Sequence, residues 1–281
     1  MRPRQWVKNL FVLAPLVFAK ELFAAPVVLR GLAGFVAFCF LSSSVYILND
    51  LVDVEADRAH PVKRHRAIAS GVLPEAVAKR AGVALVVVSL GIGALLSPKF
   101  VAAAVAYLVL NLAYSFRLKK LAYIDVLCIA TGFELRVLAG SFAADVPPSS
   151  YLLIVTFLLA AFLGLGKRMH ELSQGEKAHK QRTVLSQYDP GIVIRLLYST
   201  ALATVITYAI YTLDKHTRLA FGTDYLVVTT LFTLFGVGRF LHLVRSRPDA
   251  ESPTEEMLRD KWFLANLGAW AVTVVAVIYF S

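Results

Sequence analysis

The chain has 281 residues, 58% of them hydrophobic and only 17% charged, with a mean hydropathy of +0.65, whereas an ordinary soluble domain carries about 25% charged residues. A chain this apolar cannot bury its side chains in one water-surrounded core, which excludes a soluble Rossmann or barrel enzyme, a secreted disulfide scaffold and a disordered tail. Cys39 and Cys128 lie in apolar runs without metal or redox spacing, and a net charge of +10 in such a chain marks cytoplasmic loops and anionic lipid or substrate rather than nucleic acid.

A bilayer-crossing helix takes about 20 mostly apolar residues, and nine candidate segments follow along the chain. The first, 10–25, is the least regular, broken by Pro15 and by Lys20 and Glu21. Next come 31–48, 81–98, 100–116 and 121–144, the last carrying Asp125, Glu134 and Arg136. The remaining four are 146–166, 196–213, 225–238 with its extension to 244, and 262–281. Open strands cannot span lipid, so the expected fold is all-α: one catalytic membrane domain built as a nine-helix bundle. The basic N-terminus runs into an apolar segment with no convincing cleavage site, and no cleaved signal is expected. With the N-terminus in the cytoplasm, 23 of the Lys and Arg residues fall inside and 5 outside, and Arg136 remains within a span. That bias supports both the helix count and the orientation.

The strongest local signal closes the second helix: Asn49-Asp50-Leu51-Val52-Asp53-Val54-Glu55-Ala56-Asp57. If the helix continues, Asp50, Asp53 and Asp57 share one face. Carboxylates so placed repel one another, and a divalent cation such as Mg²⁺, completed by water and substrate phosphate, removes the penalty. A solvated helix end is the alternative. The loop beyond, His60-Pro61-Val62-Lys63-Arg64-His65-Arg66-Ala67-Ile68-Ala69, offers three cations, either for a polyphosphate or simply as a positive inner loop. His60 and His65 read as structural or solvent-facing.

A second cluster, Gly166-Lys167-Arg168-Met169-His170-Glu171-Leu172, follows the sixth helix on the same membrane face. It reads as an anion clamp with a carboxylate that positions a sugar hydroxyl or a second metal, or as a plain salt bridge. The basic N-terminus, Arg2 to Asn9, is an interfacial anchor whose Lys8 can reach the cytoplasmic mouth. Tyr114 and Lys119 are further candidates there. Ionisable groups within a span are functional hypotheses by default. Arg136 either holds an acidic ligand or neutralises a neighbouring carboxylate.

Asn-Asp-x-x-Asp-x-x-x-Asp at the end of the second of nine helices resembles the UbiA-type intramembrane prenyltransferases over nearly the whole chain. Members carry a second motif, Asp-x-x-x-Asp, after the sixth helix, where this chain has Lys167-Arg168-x-x-Glu171. The combination is similar to one branch, the decaprenyl-phosphate phosphoribosyltransferases. That branch shows Arg-Pro-x-Gln-Trp-x-Lys-Asn (Arg2 to Asn9), His-Pro-x-Lys-Arg-x-Arg-Pro-Ile-Ala (His60 to Ala69, with Ala67 in place of Pro) and Gly-Lys-Arg-x-x-Glu-Leu (Gly166 to Leu172).

The resemblance implies Mg²⁺-dependent transfer of 5-phosphoribosyl from phosphoribosyl diphosphate to a polyprenyl phosphate, for cell-envelope sugar assembly. On that reading Asp50 and Asp53 bind the metal with Asp57 supporting, and Asn49 fixes the leaving group. Lys8 and Lys119 neutralise departing diphosphate. Lys63, Arg64, Arg66, Lys167 and Arg168 divide the remaining phosphates, and Glu171 holds ribose hydroxyls. Rival readings are prenyl transfer to an aromatic acceptor, and a transporter of a phosphorylated solute gated by the charged loops. Bundles of this kind can also associate into homo-oligomers through helix faces.

Overall fold

The computed structural model describes residues 3–174, 183–246 and 252–280. Arg2, Lys177, Lys180, Arg182 and Arg247, which enter the charge count, lie outside the described residues. Among the described residues all regular structure is helical. Eight helices among the described residues are long and apolar enough to cross a membrane. They are α2 (Ala25–Val52), α4 (Glu75–Leu96), α5 (Pro98–Phe116), α6 (Ile124–Ala144), α7 (Ser150–Ser173), α8 (Pro190–Leu213), α10 (Thr229–Ser246, its span starting at Tyr225) and α12 (Lys261–Phe280). Shorter helices are α1 (Ala14–Phe18), α3 (Val54–Ala59), α9 (Lys215–Phe221) and α11 (Pro253–Met257).

The first expected span has a different form. Residues Gln5–Phe18 make a shorter apolar segment, a 3₁₀ stretch over Pro3–Val12 followed by α1. Long 3₁₀ runs are uncommon because their hydrogen bonds are poorly aligned, so outside contacts must hold this one. Side chains at i and i+3 eclipse in this helix, which puts Trp6, Asn9 and Val12 on one face. Trp6 Nε1 donates to Ser43 Oγ at 3.2 Å, Asn9 Nδ2 donates to Ser42 Oγ at 2.9 Å, and Val12 is fully buried. A Cβ on Gly140 would lie 1.9 Å from the Val12 carbonyl oxygen, so only glycine permits this approach.

The chain forms two compact units, Met1–Leu118 with Gly132–Pro148, and Lys119–Thr131 with Ser149–Ser281. In the first, α2 packs mainly on α4 and α5. Phe38, Leu41, Phe100, Ala104, Tyr107, Ala139 and Ala143 form its core. Small residues set the helix spacing, as lipid supplies no hydrophobic drive between spans; Gly34 faces Ala143 and Phe100. Arg30 closes the far end, donating to the carbonyls of Ala143 (2.9 Å) and Leu96 (3.1 Å), which end α6 and α4. In the second unit α7 packs on α8, and α10 on α12. The Phe162 and Phe240 rings meet edge-on at 5.0 Å, with Gly166 making room for Phe240.

Helix starts follow local chemistry. Ser97, Ser149, Asp189 and Asp214 cap α5, α7, α8 and α9 by accepting backbone N–H bonds, each worth about 1 kcal/mol. Pro98 and Pro190 fill first-turn positions that need no N–H donor.

Candidate functional site

In the first unit, α2 ends at Val52 and α3 begins at Val54, with Asp53 between them at ψ 10°. The expected continuous helix is therefore interrupted by one residue. The register nearly survives, because Asp53 N–H still reaches the Asn49 carbonyl at 3.0 Å and Asp57 N–H reaches the Asp53 carbonyl at 2.8 Å. Asp50 and Asp57 consequently meet one cation. Arg66 Nη1 donates to Asp57 Oδ2 at 2.6 Å and to Asp50 Oδ1 at 3.2 Å. Asp57 is only 3% exposed, and Arg66 relieves the repulsion that the aspartate spacing imposes.

The loop carrying Arg66 is fixed from both sides. Ile68 is buried with Val54 and Ala78, and Gly71 turns the chain at φ 79°, a conformation that favours glycine. His60 Nδ1 accepts the N–H groups of Val62 (3.2 Å) and Lys63 (3.3 Å), which makes it a turn residue. Lys63 and Arg64 stand exposed on the intervening 3₁₀ turn. Asn49 Oδ1 is in hydrogen-bond contact with the Ser115 hydroxyl, which also reaches the Asn111 carbonyl at 2.6 Å. That contact orients the Asn49 amide from α5. Tyr114, one residue before Ser115, is half-buried, and Lys8 is exposed on the N-terminal 3₁₀ segment.

The donor set fits a particular kind of ion. Among the described residues no three His, Cys, Asp or Glu side chains gather to hold a metal by themselves. Asp57 is the shorter of the two Arg66 contacts, at 2.6 Å against 3.2 Å for Asp50. Asp50 and Asp53, three apart, remain as two carboxylates. Mg²⁺ is commonly held by one or two carboxylates, with waters and substrate phosphates completing the octahedron.

Arg136 lies on α6 within the first unit. It is 6% exposed, and among the described residues its hydrogen-bond partners are neutral: Nε donates to Asn9 Oδ1 (3.0 Å), Nη1 to the Gly132 carbonyl (2.8 Å) and Nη2 to the Tyr107 hydroxyl (2.8 Å). Its guanidinium also lies 4.7 Å from the Tyr107 ring centre and 5.1 Å from that of Phe133, where a cation is attracted by the ring face. Among the described residues, neutral hydrogen-bond acceptors and ring faces rather than a carboxylate surround this charge. Its place is in the lock that holds the N-terminal segment.

In the second unit, the Gly166–Leu172 motif ends α7. Lys167 is half-buried, as is Lys119 ahead of α6. Arg168, expected as an anion clamp, is instead 1% exposed. Its Nη1 pairs with Glu171, and its Nε lies 3.8 Å from Asp125 Oδ2. Two carboxylates occupy this cation because a buried guanidinium without counter-charge is costly. Glu171 is the member that keeps some exposure, with 18% of its side chain accessible.

The sequence reading missed Tyr188. Its hydroxyl donates to Asp125 Oδ1 and accepts the Tyr123 N–H at 2.9 Å. Burial, and then the adjoining Asp125 carboxylate, push this hydroxyl well above the ordinary tyrosine range. It therefore remains a protonated donor. The intramembrane Asp125 was the available signal, since a buried carboxylate demands a donor from somewhere.

A family model described as the UbiA prenyltransferase family matches residues 10–279. The chain is 36% identical over 292 residues to a decaprenyl-phosphate phosphoribosyltransferase of Mycolicibacterium smegmatis, covering 100% of this chain and 92% of that protein. It is 36% identical to the Corynebacterium glutamicum protein of the same name, covering 99% and 85%. Among solved structures, a UbiA homologue from Archaeoglobus fulgidus bound to DMAPP and Mg²⁺ superposes with a TM-score of 0.73 at 19% identity, over 100% of this chain and 98% of that one.

Proposed function

The chain belongs to the UbiA prenyltransferase family, and on that premise we propose that it transfers 5-phosphoribosyl from phosphoribosyl diphosphate to a polyprenyl phosphate, releasing diphosphate. The observation that carries the reading is the end of α7. Where the prenyltransferases resembled above have a second aspartate pair, this chain has Lys167 and the Arg168–Glu171 pair. A second diphosphate-holding carboxylate pair suits a prenyl diphosphate. A cation beside a partly exposed carboxylate suits a phosphorylated sugar, whose phosphate and hydroxyls need both. Identity along the whole chain to relatives named for this reaction supports the same choice over aromatic prenyl transfer.

The chemistry sets what each residue must do. The C1–O bond to diphosphate breaks as a lipid phosphate oxygen bonds to C1, through an oxocarbenium-like ribose. The nucleophile is already anionic, so no strong general base is required. Stabilising charge separation is the main task. Asp50 and Asp53 would hold Mg²⁺, which when bound neutralises diphosphate oxygens. Arg66, anchored by Asp57, presents its remaining N–H groups to a phosphate oxygen. Lys63, Arg64, Lys8, Lys119 and Lys167 supply mobile charge for the phosphates, and Asn49 donates its amide N–H groups to the leaving group. Glu171 accepts from ribose hydroxyls. The reading requires both charged segments on one membrane face, which the four spans between them allow.

The protein is a multi-pass membrane protein. The proposal places it in the cell membrane with its N-terminus and site in the cytoplasm, making a sugar-lipid precursor for the envelope. The test supplies purified protein in detergent with polyprenyl phosphate, Mg²⁺ and radiolabelled phosphoribosyl diphosphate. Label should enter the organic-extractable lipid and stop doing so with a chelator. Absence of transfer, with transfer from a prenyl diphosphate to an aromatic acid instead, would overturn the assignment.

A further inference from the structure

Four residues from three elements of the second unit form one buried chain of contacts. Tyr188, on the segment before α8, donates to Asp125 Oδ1 on α6. The other oxygen of Asp125 faces Arg168 Nε on α7 at 3.8 Å, and Arg168 Nη1 pairs with Glu171. Asp125 and Arg168 are almost completely buried, at 0% and 1% exposure. Among the described residues Arg168 Nε has no hydrogen-bond partner, so Asp125 acts on it as a charge at ion-pair distance.

The Tyr188 end is fixed in turn. Its ring lies 4.7 Å from that of Tyr123, its hydroxyl accepts the Tyr123 N–H at 2.9 Å, and Tyr123 OH accepts the N–H of Asp189 at 3.3 Å. Asp189 caps α8, and Tyr123 itself sits at φ 65°, a conformation that surrounding structure must enforce. Val184, Leu185 and Val193 bury the segment against Met169 and Leu172 of α7.

We infer that Tyr188 and Asp125 are positioning residues for Glu171, acting through Arg168. This deepens the functional reading above and rests on it. Glu171 alone of the four reaches the surface, and its rotamer is set by Arg168. Arg168 in turn is pinned by a carboxylate that Tyr188 holds. A carboxylate that selects ribose hydroxyls must be fixed in direction, because a small misplacement of a polar group costs much of its discrimination.

The test compares 5-phosphoribosyl and 5-phospho-2-deoxyribosyl diphosphate as donors, with polyprenyl phosphate as acceptor. Tyr188→Phe keeps the ring and its packing and removes only the hydroxyl. The ratio of kcat/KM for the two donors should fall by roughly tenfold, with KM for the lipid unchanged. Glu171→Gln should lower the same ratio, and combining it with Tyr188→Phe should lower it no further. Thermal unfolding in detergent separates this from lost stability. Should Tyr188→Phe fail to extract as folded protein, Asp125→Asn carries the same comparison. A ratio unchanged in Tyr188→Phe, with only the unfolding temperature lowered, would reduce the chain of contacts to a structural brace. Wild-type protein that used neither donor would instead remove the functional reading itself.

Discussion

A carboxylate at 3% exposure must have its charge met, and Asp57 meets it through Arg66 Nη1 at 2.6 Å. Asp57 and Arg66 should therefore act as one unit. Asp57→Asn and Arg66→Gln should each reduce turnover to a similar degree, and the double variant should be no worse than either, as for residues that share one interaction. Fully additive losses in a double-mutant cycle would separate them and return Asp57 to independent metal binding. On the proposed reading Asp50 also holds Mg²⁺, so Asp50→Ala should abolish transfer while leaving folded, extractable protein. Full turnover in that variant would remove the metal assignment. Asn9 is a different case. It is wholly buried, its amide NH₂ serving Ser42 and its oxygen accepting from Arg136. Asn9→Ala leaves a buried guanidinium N–H unmet, at a cost of about 1–3 kcal/mol. A lowered unfolding temperature in detergent measures it.

At the scale of elements, the N-terminal segment depends on one missing side chain. Even an alanine at position 140 would put Cβ 1.9 Å from the Val12 carbonyl oxygen, so Gly140→Ala must push the 3₁₀ segment off α6. Trypsin should then cut at Lys8 faster than in wild type, and activity should fall as it does in Lys8→Gln. Unchanged proteolysis would mean that the segment tolerates the shift. This segment also marks where sequence reading ran out. The eight long spans were legible because each is a mostly apolar run of helix-spanning length, even where Asp125, Glu134 and Arg136 interrupt 121–144 and Arg239 interrupts 225–244. The segment 10–25 was flagged as irregular by Pro15 and the Lys20–Glu21 pair, but nothing local announces a 3₁₀ helix. Its form comes from Ser42, Ser43 and Gly140, more than 30 residues away. The site divides in the same way. Motif spacing singled out Asp50, Asp53, Arg66 and Glu171 as candidates. It could not tell that Arg168 turns inward, because burial of a long basic side chain depends on Asp125 and Tyr188 from other elements.

At the scale of the whole molecule, the positive bias makes a claim about orientation that needs no substrate. The alternation of spans puts the Arg66 loop inside and the turn between α4 and α5 outside, with the N-terminus in the cytoplasm. The protein is suited to cysteine mapping, since both of its own thiols are poorly accessible, Cys39 at 2% and Cys128 at 9% exposure. Ala67 and Lys99 are exposed on the two opposing turns of α4. In intact cells a membrane-impermeant maleimide should label Lys99→Cys and spare Ala67→Cys, and opening the cells should make Ala67→Cys reactive. The reverse pattern would place the charged loops outside, where a phosphorylated sugar donor drawn from cytoplasmic metabolism could not reach them. Orientation thus tests the functional proposal independently of turnover. On the proposed reading the charges that select one topology during insertion are in part those that meet phosphate, so a chain inserted the wrong way round would lose its site together with its topology.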